Sequence, residues 1–511
     1  MGVFGLRKRT FIKNAFFLTA TSLILRFVGV FFRVWLSGKI GAEGMGLYQM
    51  IFSVYVFASA FAASGLMTAV TRQVADRLSL GDKKGAVRSL RVSVMLTLFV
   101  AVVSMLAIFI FAEQIAVSFI KDARAVPALK VLCFSLPCMG ISSCFKGYFL
   151  ARRRAGTQSV AMLLEQFVRI MLVFWLVGMT AHLGIGAAAA AVLAADVASE
   201  AVSMLFLFVG YLVDKRKVKS EGQKLSYIKI LKQNLHISVP ITAGKYLGTF
   251  LRTVENLLVP QSLSKYTTSY KHSLEQFGMI KGMALPILFF PASLLNSMTT
   301  LLIPEMSEAQ AKNDRRTITA AVQKSFQITL VAAFIIGGVF FFMAERLGVL
   351  IYGSREVGFL IKALAPLVPV MYVDSMSDGI LKGLDKQNAT LLHSVLDSVL
   401  RIGFIYFFVP KKGMTAFLII MFFSNILTCS LNAGRLLKTT GVKFNINNWF
   451  LKPFLCMLFS SAVSMLFTGF LKQFGNILYV GGYCAVAIVL YIVAVIVTGA
   501  MSKNDIKSLY R

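Results

Sequence analysis

Apolar stretches of about 18 residues or more, each long enough to cross a bilayer as a helix, recur along nearly the whole sequence. They fall at 11–35, 46–70, 92–112, 127–150, 159–179 and 185–210, and then at 236–259, 275–303, 322–343, 358–382, 390–409 and 414–437. Two more follow at 451–471 and 477–500. Recurrent runs of this length point to membrane-spanning helices. Fourteen spans leave no stretch for a folded soluble domain, so the expected class is an all-α polytopic membrane protein.

The balance of charge has to be read by location. The chain of 511 residues is 57% hydrophobic and 15% charged, with a net charge of +31. A soluble chain this basic would suggest nucleic acid. Here the charge lies mostly in loops, so it reports topology and contact with anionic membrane lipids, and no nucleic-acid partner is implied. With the N-terminus inside, alternate loops such as ARRRAGTQ and DKRKVKSEGQK collect roughly thirty Lys and Arg against about ten on the other side. Both termini are therefore expected in the cytoplasm. The first run follows Arg7-Lys8-Arg9, is too long for a signal-peptide core and lacks a small-residue cleavage site, so it reads as a retained span. The six cysteines lie in apolar segments without metal-ligand spacing and read as small core residues.

An internal repeat organises the spans. KGYFLARRRAGTQSVAMLLEQFVRI at 146–170 is echoed by KGLDKQNATLLHSVLDSVLRI at 382–402. Each copy ends a span with Lys-Gly, turns, and opens a new span bearing an acid and an arginine four apart: Glu165/Arg169 and Asp397/Arg401. Spans one and seven match likewise, since Arg26 and Arg33 have the seven-residue spacing of Lys245 and Arg252. Six spans per copy is an even number, so both halves enter the membrane in one orientation and the repeat is parallel. The expected layout is an N-terminal six-helix lobe at 1–210, a basic cytoplasmic linker at 211–235 and a second six-helix lobe at 236–437. Residues 438–511 add two further helices and a tail.

Intramembrane charge is where chemistry can reside. Seven helical steps bring Arg26 and Arg33 to nearly one azimuth. An arginine near the bilayer centre costs roughly 2.5–3.5 kcal/mol on the mildest scale, which a water-filled anion-accepting cavity would justify. The structural alternative has Arg33 snorkelling to the interface and Arg26 paired with a buried carboxylate. Arg26, Arg33, Lys245, Arg252 and Lys281 are the candidate cavity cations, suited to a diphosphate that Arg grips bidentately and Lys meets as a point charge. Glu165, Arg169, Asp196, Glu200, Glu255, Asp374, Asp378, Asp397 and Arg401 are candidate coupling or structural charges. The two i,i+4 pairs read most economically as self-neutralising. Asp196 and Glu200 cannot neutralise each other and must face a cation or protonate. Lys146 and Lys382 close their spans at the interface, where snorkelling suffices. No nucleotide cradle, zinc motif, nucleophile elbow or histidine cluster is present in the sequence, so neither an enzyme nor a cofactor is expected. The coupling ion, H+ or Na+, stays open.

The order of LRFVGVFFRVWLSGKIGAEGMGLYQM (25–50), GLMTAVTRQVADRLSLGD (65–82), KGYFLARRRAGTQSVAMLLEQFVR (146–169), YGSREV (352–357) and ILKGLDKQ (380–387) resembles the polysaccharide-export and flippase branch of the multidrug/oligosaccharidyl-lipid/polysaccharide superfamily. The likeness is to its sporulation proteins and lipid II flippases. It implies fourteen helices, two lobes about a cationic cavity, alternating access, and residence in a bacterial cytoplasmic membrane. It also implies a lipid-linked oligosaccharide as substrate, with cell-wall synthesis enzymes as candidate partners. Arg26 and Arg33 match the first-helix arginines of lipid II flippases in an R-x-x-G-x-x-x-R context. The sequence departs from that pattern in lacking an arginine within span two and in carrying Lys281 on span eight. Three functional readings follow: a flippase for a polyprenyl-diphosphate-linked saccharide, a cation-coupled multidrug antiporter, and a non-transporting scaffold for cell-wall synthesis. The excess of cations on spans one and seven favours the first.

Overall fold

The computed structural model describes residues 2–216 and 227–501. Of the linker expected at 211–235, residues 217–226 lie outside the described residues, as does the tail 502–511. The described residues form helices and no strands, as an apolar chain must when lipid cannot hydrogen-bond its backbone.

The expected spans map onto the helices in order. Spans one and two are halves of α1 (Gly2–Ser79), which bends at Gly41, where φ is 70°. Only glycine holds that conformation without strain, and the helix resumes at once on the far side. Span three is α2 (Lys83–Gln114), and span four is α3 (Ala125–Leu132) followed by α4 (Ser135–Ala151). Spans five, six and seven are α5 (Ala155–Thr180), α6 (Ile185–Arg216) and α7 (Tyr227–Thr267). Span eight is broken into α8 (Tyr270–Phe277), a π-turn Gly278–Ala284, α9 (Leu285–Phe289) and α10 (Ala292–Ala311). Span nine is α11 (Arg315–Phe342), which the short α12 (Ala344–Tyr352) follows. Span ten joins α13 (Arg355–Leu364) to α14 (Val368–Gly383). Spans eleven and twelve are halves of α15 (Gln387–Thr440), bent at Gly413 with φ 57°. The last two spans are α16 (Lys452–Thr468) and α17 (Asn476–Val497).

Among the described residues, ten stretches are long and apolar enough to cross a membrane. Two of these, Ala20–Ser79 and Gln387–Thr440, each hold two spans separated by a bent glycine. The spans outside those ten are α7 and the broken α8–α10 run.

The chain divides into two compact units, Met1–Gln261 and Ser262–Arg511. The division falls inside α7 rather than at the linker, and packing explains why. The first part of α7 runs antiparallel to the second half of α1. Thr253 and Asn256 donate to Ser53 at 3.0 and 2.9 Å, Tyr246 and Phe250 pack on Phe57, and Gln233 accepts from Arg77. Gly65 allows the closest approach. A Cβ there would lie 2.3 Å from the Ser238 carbonyl oxygen. Because that neighbour is backbone, Gly65→Val should cost about 1–3 kcal/mol by overpacking. Thermal unfolding of the purified full-length protein, followed by size exclusion, should show a lower transition than wild type, and an unchanged transition would contradict this seam.

In the second unit, α11 is the scaffold for the last two spans. Phe326 stacks face to face on Trp449 at 5.4 Å, and the Tyr491 hydroxyl donates to the Val331 carbonyl at 2.8 Å. Spans thirteen and fourteen therefore belong to the core of this unit.

Candidate functional site

Four of the five candidate cavity cations, Arg26, Arg33, Lys245 and Arg252, lie in the first compact unit. Arg26, Lys245 and Arg252 are exposed, and Arg33 is half-buried within electrostatic reach of Tyr48 on the second half of α1. The spacing on α7 puts Lys245, Thr249 and Arg252 along one helical face, with Tyr246 and Phe250 beside it on the aromatic seam. Span one is held through Trp35, whose ring lies 3.9 Å from that of Phe174 on α5. Lys281 is half-buried on the π-turn of the second unit. Glu255, three residues past Arg252, is buried.

The acids form a network within each unit. In the first, Arg169 bridges two carboxylates, Glu165 on its own helix at 3.1 Å and Asp196 on α6 at 2.5 Å. Lys146 of α4 reaches the other oxygen of Glu165 at 3.5 Å. That corrects the interfacial expectation for Lys146: its side chain is only 19% exposed and turned inward to an acid. Glu200, one turn from Asp196, is buried and its Oε2 has no hydrogen-bond partner. In the second unit Arg401 contacts Asp397, whose Oδ1 accepts from Ser424 at 2.6 Å. Lys382 pairs with Asp378 at 2.6 Å while staying half-exposed. Asp374 accepts from the Asn432 amide at 2.8 Å, and the Asn432 oxygen meets His393 Nδ1 at 2.8 Å. Since the Asn432 nitrogen is spent on Asp374, His393 must donate from Nδ1, leaving Nε2 as its basic nitrogen.

Such an arrangement offers exposed point charges and guanidinium forks on one set of helices, and buried, nearly self-compensating charge on another. The first can hold an anion from water. The second can hold helices together or take up a small cation.

Residues 11–310 match the family model described as polysaccharide biosynthesis protein. The chain belongs to that family. It is 25% identical over 509 residues to stage V sporulation protein B of Bacillus subtilis (strain 168), with 98% of each chain covered. It is 21% identical over 418 residues to the lipid II flippase MurJ of the same organism, with 76% of each covered. Its fold is similar to that of a solved structure described as an inward-facing conformation of a multidrug resistance MATE family transporter of the MOP superfamily. The TM-score is 0.63 at 17% identity, over 82% of this chain and 98% of that one. The fold is thus an all-helical, two-lobed transporter fold with fourteen membrane helices, similar over that share of the chain to the solved transporter.

This polysaccharide biosynthesis family member carries two further ion networks that the sequence did not reveal. Arg124 forks onto Asp122, at 2.9 and 2.7 Å, and reaches Glu43 at 2.8 Å, just past the Gly41 bend. The hydrogen bonds that Arg124 donates to Asp122 hold its guanidinium above the usual arginine range, with Glu43 adding to it. At the end of α6, buried Asp214 collects Arg152, Arg154 and the Tyr148 hydroxyl at 3.0, 2.6 and 2.8 Å. Arg152 and Arg154 count in the sequence only as topology-setting loop charge. The one signal in the sequence is the acid that opens the basic run DKRK.

Proposed function

We propose that this protein is a flippase that moves a polyprenyl-diphosphate-linked saccharide from the cytoplasmic to the outer leaflet by alternating access, without covalent chemistry. What supports this reading is that Arg26, Arg33, Lys245 and Arg252, the repeat-related cations of spans one and seven, all fall within one compact unit and three of them are exposed. A diphosphate cannot cross about 30 Å of hydrocarbon unaided, and charge-assisted contacts to guanidinium and ammonium groups replace its lost hydration. The prenyl chain needs no such shelter and stays in lipid. Similarity to a relative named a lipid II flippase supports the substrate class. The protein would work in a bacterial cytoplasmic membrane with both termini inside, beside the cell-wall enzymes that make and use its substrate.

A cation-coupled multidrug antiporter is the second reading, favoured by likeness to a multidrug transporter fold. It would need an acid-dominated substrate cavity, whereas cations predominate on spans one and seven and Glu165, Asp196, Asp378 and Asp397 are engaged by cations. Proteoliposomes holding labelled lipid II, a teichoic-type precursor or an organic cation, with leaflet-specific detection, separate the two. Protein-dependent movement of a lipid-linked saccharide is expected, and movement of the organic cation alone would defeat the flippase reading.

A further inference from the structure

Positive charge is sparse at the ends of the spans opposite the basic loops, so each cation there needs a reason. Two of them meet on one ring in the second unit. Arg346 lies on α12, which follows span nine, and Lys472 on the short turn of 3-10 helix Gly469–Phe474 between α16 and α17. The Arg346 guanidinium sits 4.5 Å from the centroid of the Tyr479 ring, and the Lys472 ammonium 5.5 Å from the same centroid. Both stand within the roughly 6 Å at which a ring attracts a cation, and a ring so shared keeps two like charges close together. Tyr479 is 3% exposed and packs in a core with Met343 and Tyr483, so the ring is a fixed platform. Arg346 is pinned a second time, since it donates to Asn476 Oδ1 at 2.7 Å. The ring neutralises neither charge. Among the described residues no carboxylate pairs with Arg346 or Lys472, and Glu345, next in sequence, turns to Arg355 at 3.9 Å.

We infer that this corner binds the phosphate of an anionic phospholipid, held by Arg346, Lys472 and the Asn476 amide. Like charges kept together beside a low-dielectric medium need a counter-anion. A phosphate can accept from both at once, through charge-assisted bonds of about 2.7–2.9 Å. Because the Asn476 oxygen accepts from Arg346, its nitrogen is the group left to donate outward. The rim says which phosphate. Leu466, Phe467, Phe470, Phe474, Ile477 and Leu478 are exposed on and beside the turn. A free phosphate gains nothing from such a rim, whereas acyl chains cover it. The corner also differs from cations that merely snorkel to the interface. Its guanidinium is fixed at two points before a lipid arrives, so less order has to be created on binding. None of the candidate cavity cations takes part, and the inference holds whatever the protein transports.

The test is native mass spectrometry of the full-length protein, taken into detergent from mixed vesicles of phosphatidylglycerol and phosphatidylcholine, with the retained lipid counted. A phosphatidylglycerol that survives washing is expected, and phosphatidylcholine should not replace it. The double variant Arg346→Gln, Lys472→Gln should lower its retention on the order of tenfold or more, since two charge-assisted contacts are lost. Arg355→Gln removes a charge from the same side without touching the corner and should leave retention as in wild type. Should the double variant fail to fold, Lys472→Gln alone changes an exposed side chain; it should still weaken retention, and Lys472→Arg should keep it. Inorganic phosphate in excess should not displace the lipid. Undiminished retention in the glutamine variants, an equal loss in Arg355→Gln, displacement by inorganic phosphate, or equal retention of phosphatidylcholine overturns the assignment. None of these readouts involves transport, so absent flipping of a lipid-linked saccharide would sink the proposed function and leave this site standing.

Discussion

Replacement of Arg169 by alanine is expected to cost the first unit its stability. Arg169 is the shared partner of Glu165 and Asp196, and it ties α5 to α6 through the interior of the unit. Removing it leaves two carboxylates in a medium where an unpaired charge is expensive, with Lys146 in reach of only one of them. Breaking a buried pair from one side costs about 3–5 kcal/mol, a large part of what holds a domain together. Little full-length protein should elute as a monodisperse species after mild heating, where wild type survives. Neutralising the acids as well, with Glu165→Gln and Asp196→Asn, should restore much of the loss, because the penalty lies in the orphaned charge. Arg169→Lys should rescue in part, since an ammonium cannot fork across two helices as a guanidinium does. A stable Arg169→Ala protein that no longer transports would instead give this arginine a role in the cycle.

The ease with which the helices were read from the sequence and the difficulty of reading their partners have one physical origin. Bilayer thickness fixes how long an apolar run must be, so each span announces itself locally. The i,i+4 pairs Glu165/Arg169 and Asp397/Arg401 were legible for the same reason, since helical geometry alone makes them neighbours. Contacts between helices are another matter. That Arg169 also takes Asp196, that Lys146 turns inward to Glu165, and that Asp214 gathers Arg152 and Arg154 depend on which helices adjoin. The assignment of the first part of α7 to the first unit is likewise a tertiary fact, set by the close approach at Gly65 and by the ring contacts of Phe57. Gly41 and Gly413 fall between the expected spans 11–35 and 46–70, and 390–409 and 414–437, yet helix continues on both sides of a single residue. At Gly413 a side chain would also strike the Tyr266 ring, so position and conformation both demand glycine.

Simultaneous replacement of Arg26 and Arg33 by alanine is expected to leave the protein inserted and folded but to abolish most of its flipping. Among the described residues no salt bridge ties either arginine to the interior acids: Arg26 is exposed, and Arg33 is half-buried near Tyr48. Insertion should become easier, since each removed arginine relieves roughly 2.5–3.5 kcal/mol of membrane cost. A charge-assisted contact to diphosphate is worth about 1.5–3 kcal/mol, so losing two should lower flipping on the order of a hundredfold or more. Lysine at each position separates charge from geometry. Near-complete recovery marks a site that needs only a positive point, and poor recovery marks one that grips two phosphate oxygens at once. Lys245→Ala and Arg252→Ala make the same comparison on the repeat-related helix, where a symmetric cavity predicts losses of similar size. The measurement is headgroup translocation in proteoliposomes, normalised to inserted protein. Wild-type flipping by the double variant would remove the first helix from the substrate path, and with it the main ground for an anionic substrate.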